Sequence, residues 1–212
     1  MEKIALIVYP EFSFQEIGNL SALFRWYFDI KTEVFSSSKR PVRSEEGFNI
    51  VPDKIFDEFR NEDYKCLILP GCSDVRMAIR DEKLIKFLSR FKDDRDFPIG
   101  AICAGPMFLS KAGLLDGKKF TNSLFVEMNE KFKFINQEHI VYEPLVEDGN
   151  IVTAVGDAYQ EFAIAMARKC GFDCSDKAYT GILEDWTEED FKHHLSEADL
   201  NIFLEEFKDF IN

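Results

Sequence analysis

The stretch Gly100-Ala101-Ile102-Cys103-Ala104-Gly105-Pro106 sets a cysteine among small residues, with an apolar run before it and a helix-starting proline after it. A side chain carried on a sharp strand-to-helix turn needs small neighbours, because larger Cβ substituents would collide with the tight backbone and bar a reactant. Ala101, Ala104 and Gly105 leave that room. The helix expected from Pro106 to Ala112 turns its free N–H groups and positive dipole end toward the sulfur, which favours thiolate over thiol. Cys103 is therefore read as a reactive cysteine at a nucleophile elbow. A free cysteine also serves often as a small buried hydrophobe, so spacing alone leaves a structural role open.

Working outward, Phe97-Pro98-Ile99-Gly100-Ala101-Ile102 is one of three short aliphatic runs that read as buried strands. The others are Lys3 to Tyr9 and Lys65 to Pro70, and each of these meets a proline. Helical patterns follow at Gln15 to Phe28, Glu82 to Phe91 and Pro106 to Ala112. Alternation of this kind predicts an α/β fold, with a mostly parallel sheet and helices on both faces. Val141 to Val146 and Ile151 to Val155 read as a β-hairpin through Glu147-Asp148-Gly149-Asn150, because Asp-Gly supplies the positive φ of a tight turn. A further helix is expected from Tyr159 to Lys169.

Beyond Cys174 the chain turns acidic. Ser196 with Asp199 resembles a helix start, and Leu200, Phe203, Leu204, Phe207 and Ile211 recur at helical spacing. The expected organisation is one α/β domain over residues 1–174, with a helical extension over 175–212 packed on it. Trp186 and the tail phenylalanines either line a pocket or fill core. No internal repeat, low-complexity segment or Gly/Ser linker interrupts the sequence.

A chain of 212 residues, 46% hydrophobic, can bury a full core without staples. Its 39 acidic against 26 basic residues give a net charge of −13, which disfavours nucleic acid and an anionic membrane face as partners. Met1-Glu2-Lys3 leads straight into a short apolar run, and no stretch of about 18 apolar residues exists, so a soluble cytoplasmic protein without leader or span is expected. The five cysteines, Cys66, Cys72, Cys103, Cys170 and Cys174, are odd in number and scattered, which fits a reducing compartment. Cys170 and Cys174 lack a second Cys or His pair at zinc spacing, so neither a metal site nor a cofactor is expected.

Reactive groups in an open parallel sheet gather at the carboxyl ends of strands. Gly71 and Cys72 follow the strand ending at Pro70, and with the N–H of Ala104 they are candidate oxyanion donors. Glu16 lies just after the first strand, on the opening turn of the first helix, within reach of the sulfur.

These pieces resemble the ThiJ/PfpI superfamily, the class I glutamine-amidotransferase-like group. The resemblance rests on Glu16, Leu67-Ile68-Leu69-Pro70-Gly71, Ala101-Ile102-Cys103-Ala104-Gly105-Pro106, Ala112-Gly113-Leu114-Leu115-Asp116-Gly117-Lys118, Asp148-Gly149-Asn150-Ile151-Val152-Thr153 and Glu161-Phe162-Ala163. It implies a flavodoxin-like three-layer sandwich, catalytic Cys103, a carboxyl partner at Glu16, backbone oxyanion donors at Cys72 and Ala104, and a homodimer. A carboxylate beside a thiolate repels it, so the pair is expected to share a proton, with neutral Glu16 donating to sulfur. The alternative for Glu16 is an exposed carboxylate at a helix start.

The chain departs from the family where histidines stand. Protease members carry histidine directly after the cysteine, where this chain has Ala104. The redox branch carries one after the next strand, where this chain reads Phe120-Thr121-Asn122-Ser123-Leu124. Only His139, His193 and His194 exist, none of them placed near Cys103, so a Cys-His protease is disfavoured. Cys72 replaces a residue that is usually glycine in the family. It is either a resolving cysteine for a sulfenic acid on Cys103 or a small buried residue tolerated there. The leading expectation is an enzyme whose Cys103 acts on a small electrophile in hydratase, lyase or amidase-type chemistry. The alternatives are a redox-sensing stress-response protein with a small oxidant as partner, and a binding protein with a vestigial elbow.

Overall fold

In the computed structural model, residues 2–179, 196–198, 201 and 205 are described. The strands are β1 (Lys3–Ile7), β2 (Lys31–Ser36), β3 (Val42–Arg43), β4 (Asn49–Ile50), β5 (Lys54–Ile55), β6 (Tyr64–Leu69), β7 (Ile99–Ile102), β8 (Leu145–Asp148) and β9 (Ile151–Ala154). The helices are α1 (Gln15–Phe28), α2 (Val75–Ala78), α3 (Glu82–Ser89), α4 (Gly105–Lys111), α5 (Val126–Lys131) and α6 (Tyr159–Lys169). Seven strands form one sheet in the order β5-β2-β1-β6-β7-β9-β8, and β8 alone runs antiparallel, against β9. The order β2-β1-β6-β7-β9 is that of a flavodoxin-like, doubly wound sheet. Helix α1 packs with α6 and α3 with α4. Right-handed crossovers put these pairs on opposite faces of the sheet.

The three aliphatic runs occupy the sheet's centre for the reason that made them legible. A strand covered on both faces has no polar side, and every residue from Cys66 to Leu69 is fully buried. Close packing of β7 on α6 depends on Gly100, where an added Cβ would lie 2.6 Å from Met166 Sδ and 2.7 Å from Phe162 Cζ. Asn150 ties the β8–β9 turn to the start of β7, its Nδ2 donating to Phe97 O at 2.7 Å.

Several boundaries differ from the sequence reading. Strand β8 begins at Leu145 rather than Val141. Its turn contracts to Gly149-Asn150, in which only Gly149 takes positive φ, 61°, because Asp148 still pairs with Ile151. Strand β2 and the small β3–β4 hairpin had no sequence signal strong enough to read.

By contacts the chain divides into two compact units, Met1–Ala178 and Tyr179–Asn212. The first carries the sheet. The expected closing helix, Trp186, His193 and His194 fall wholly or mostly outside the described residues. No helix among the described residues is long and apolar enough to cross a membrane.

Candidate active site

Strand β1 lies between β2 and β6, where the strand order reverses, and the loops after β1 and β6 meet at the carboxyl edge of the sheet, joined by Ser13 N–H to Gly71 O at 2.9 Å and Ser73 N–H to Glu11 O at 3.3 Å. Cys103 stands at this edge, between the last residue of β7 and the first turn of α4. It takes φ 60°, a left-handed conformation that costs a non-glycine residue about 1–2 kcal/mol. Two backbone bonds hold it there: Cys103 N–H donates to Ala154 O at 2.8 Å, and Ser123 N–H donates to Cys103 O at 2.9 Å. Gly71 makes the close approach feasible, since a Cβ there would lie 2.5 Å from Cys103 Cβ and 2.7 Å from its Sγ.

Glu16 is 6% exposed and touches the Cys103 thiol, with its Oε2 accepting the Gly71 N–H at 2.5 Å. Burial pushes its carboxyl up to about 7; hydrogen bonds from Gly71 and Cys103 oppose this, and the charges of Glu45 and Glu46 add to it. The Cys103 thiol is also pushed up, first by burial and then by the Glu16 charge and hydrogen bond, against donors at Ala104 N–H and the Ser123 hydroxyl. The expected bias toward thiolate from α4 is therefore outweighed by desolvation and a like charge. Two such groups in contact lose their protons one after the other. The pair is neutral below about 7 and carries one negative charge above it. That charge rests mainly on Glu16, with a minor form in which the proton has crossed to the carboxyl and sulfur is thiolate.

Glu16 is placed by a long-range cap. The N-cap residue Phe14 offers α1 no side-chain acceptor. Glu46, from the β3–β4 hairpin, supplies one instead, accepting Phe14 N–H at 3.1 Å and Gln15 N–H at 3.0 Å. Burial raises the Glu46 carboxyl, but these bonds and one with Ser44 outweigh it and hold it below the usual range.

A family model described as the DJ-1/PfpI family matches residues 2–169. The chain belongs to that family. A deglycase of Thermococcus kodakarensis is 30% identical over 128 residues, covering 59% of this chain and 75% of the relative. The protein DJ-1 homolog B of Arabidopsis thaliana is 36% identical over 123 residues, 57% of this chain, and the chain spans only 27% of that relative's length. Among solved structures, a DJ-1 superfamily protein of Agrobacterium tumefaciens superposes with a TM-score of 0.70 at 25% identity, covering 97% of this chain and 99% of its own.

Within this DJ-1/PfpI site the structure brings Glu16, Gly71, Cys103 and Ala104 together. The Gly71 N–H is already taken by Glu16, so it does not serve as a free oxyanion donor. Cys72 pairs with Phe12 through bonds that run from Ser13 N–H to Gly71 O and from Ser73 N–H to Glu11 O, which leaves the Cys72 N–H outside the pairing. Its thiol is buried and pushed up to about 12 by burial, then by Glu45 and Glu16. His139 lies in the turn Gln137–His139 and is absent from the groups that act on Cys103. Among the described residues no His, Cys, Asp and Glu group could hold a metal ion.

Four contributors escaped the sequence reading. Tyr9 is buried, donates to Pro70 O, and feels Cys72, Glu16 and Cys103. Glu46 caps α1. Gly156 and Ser123 flank the sulfur from the loops after β9 and after Phe120. A glycine just past an aliphatic run, as in Val152-Thr153-Ala154-Val155-Gly156, was the legible signal for one of them.

Proposed function

We propose that this chain is an enzyme whose Cys103 adds to the aldehyde carbon of a small uncharged α-oxoaldehyde. The observation that carries the reading is the buried Glu16 carboxyl in contact with a thiol on a strained elbow. The deglycase relative supports carbonyl chemistry. Above about pH 7, Glu16 takes the thiol proton, sulfur forms the C–S bond, and the carbonyl π pair moves to oxygen. The Cys72 N–H, which lies outside the loop pairing, would donate to that oxyanion, and the Ala104 N–H, released from the sulfur as the C–S bond forms, would be the second donor. Glu16 then returns the proton to the alkoxide, giving a hemithioacetal. A proton shift from the former aldehyde carbon to its neighbour turns the hemithioacetal into a thioester of the α-hydroxy acid, and water then cleaves the C–S bond, releasing the acid and restoring the Cys103 thiol; one carbon is oxidised and its neighbour reduced, so no external oxidant is required. The test is methylglyoxal consumption. Loss of activity in Cys103→Ser and a strong decrease in Glu16→Gln are expected; a wild type without turnover, or an undiminished Cys103→Ser, overturns the reading.

The redox alternative rests on Cys103 being only partly buried and on Cys72 following Gly71. Peroxide would convert the Cys103 thiol to a sulfenic acid, and condensation with the Cys72 thiol would release water and form a disulfide. Non-reducing peptide mapping after peroxide separates the two readings: a Cys72–Cys103 link without turnover selects the sensor.

A further inference from the structure

We propose that Ser123 is a third catalytic residue of this site, its hydroxyl donating a hydrogen bond to Cys103 Sγ as the thiolate forms. The proposal rests on the reading of Cys103 as the nucleophile. Several observations converge on it. The Ser123 N–H is bonded to Cys103 O at 2.9 Å, so the serine is tied to the elbow's own backbone. Ser123 Oγ accepts the Gly156 N–H at 2.8 Å. A hydroxyl that accepts one such bond keeps its single proton for another partner.

Gly156 in turn lies against both reacting groups, since a Cβ there would sit 3.3 Å from Cys103 Sγ and 3.2 Å from Glu16 Oε1. A methyl there would be tighter than ordinary contact on both groups, so the glycine lets this backbone lie close to the sulfur without displacing them. The loop itself is braced: Asn122 Oδ1 accepts Leu124 N–H at 2.9 Å, and the Asn122 and Asn129 amides are joined at 3.0 Å. From this position the hydroxyl acts as a hydrogen-bond donor that works to lower the Cys103 pKa, against burial and Glu16.

A hydroxyl and an imidazole would act differently here. Serine can hold a thiolate but cannot carry a charge of its own at neutral pH, so it adds no ionisation to the site. The groups facing Cys103 are Glu16 from α1, Tyr9 from the loop after β1 and Ser123. Glu45 and Glu46 act on Glu16, Cys72 lies alongside, and Asp157 is exposed beside Gly156. Reactivity should then rise once, through the ionisation of the Glu16–Cys103 pair, and stay level on the alkaline side.

The test is the rate of iodoacetamide labelling at the Cys103 peptide between pH 5 and 10, in wild type, Ser123→Ala and Ser123→Thr, with Cys170 as internal reference. Ser123→Ala should lower the plateau about 10- to 100-fold, as loss of a donor to a charged acceptor does, without altering Cys170. Ser123→Thr, which keeps the hydroxyl, should recover most of the rate. Equal rates in wild type and Ser123→Ala, or a folded Ser123→Thr as slow as Ser123→Ala, would overturn the role of Ser123 while leaving Cys103 reactive. A wild-type Cys103 inert across the range would overturn the nucleophile reading and this proposal with it.

Discussion

Replacing Glu16 with glutamine should remove a pH dependence of stability that the buried carboxyl imposes. The carboxyl ionises near 4.5 in an unfolded chain and near 7 in the fold, chiefly because burial penalises its charge. Below 4.5 both states hold the proton and the fold pays nothing. Between 4.5 and 7 the unfolded chain releases a proton that the folded one keeps, so stability falls as pH rises and then levels off. A displacement of that size amounts to about 3 kcal/mol. Glutamine has no proton to release, so this slope disappears. Urea unfolding of wild type and Glu16→Gln at intervals from pH 4.5 to 8.5 isolates the effect. The stability of wild type relative to the variant should drop by about 3 kcal/mol across the window and remain flat above it. Parallel curves would refute a buried, proton-retaining Glu16, and with it the shared-proton mechanism.

Other perturbations probe how the site is held. Gly71→Ala would drive a methyl to 3.0 Å from the Ala104 backbone nitrogen and closer still to the Cys103 side chain. It should cost about 1–3 kcal/mol in a thermal melt and silence labelling at Cys103. Glu46→Ala removes the side-chain acceptor of the Phe14 and Gln15 N–H groups at the α1 N-terminus, at a cost of about 0.5–2 kcal/mol by urea unfolding, and should slow methylglyoxal turnover by loosening Glu16. Away from the site, burial raises the Glu33 carboxyl, but Lys3, Tyr64 and Lys54 outweigh it and hold it at about 2. Its stabilisation is present above 4.5 and lost as pH falls through 2, so the advantage of wild type over Glu33→Gln should vanish across that interval in acid titrations.

The parts of the fold that were readable in the sequence are those whose environment leaves no choice. Runs such as Cys66-Leu67-Ile68-Leu69 are buried on both faces, so they carry no polar residue to blur them. Helix α1 was legible to its ends because one face of it is apolar and buried, and α6 because its run from Phe162 to Ala167 is apolar throughout and buried against the sheet and α1. Strand β2, Lys31-Thr32-Glu33-Val34-Phe35-Ser36, was hidden because its first half is only partly covered and Glu33 serves an ion-pair cluster with Lys3 and Lys54. At the site, Cys103 and Gly71 could be inferred because each sits at a strand's carboxyl end next to small residues, and Glu16 because it stands on the opening turn of the helix that follows β1. Ser123 and Glu46 could not, since each arrives from a loop whose position is set by backbone bonds to distant elements: Ser123 to Cys103, and Glu45, the residue before Glu46, to Phe12. The charge state of Cys103 was misjudged for a related reason. A helix end can be read locally, whereas desolvation depends on everything packed around the sulfur.

The most direct measurement of the central claim is pH-resolved alkylation of all five cysteines, read peptide by peptide by mass spectrometry in wild type and Glu16→Gln. The shared-proton account predicts that the Cys103 rate rises through about pH 7 and plateaus in wild type. In Glu16→Gln that rise should move above the ordinary cysteine value of about 8.5. A Cys103 profile that does not move on removal of the Glu16 carboxyl, or that merely follows the other four thiols, would contradict it.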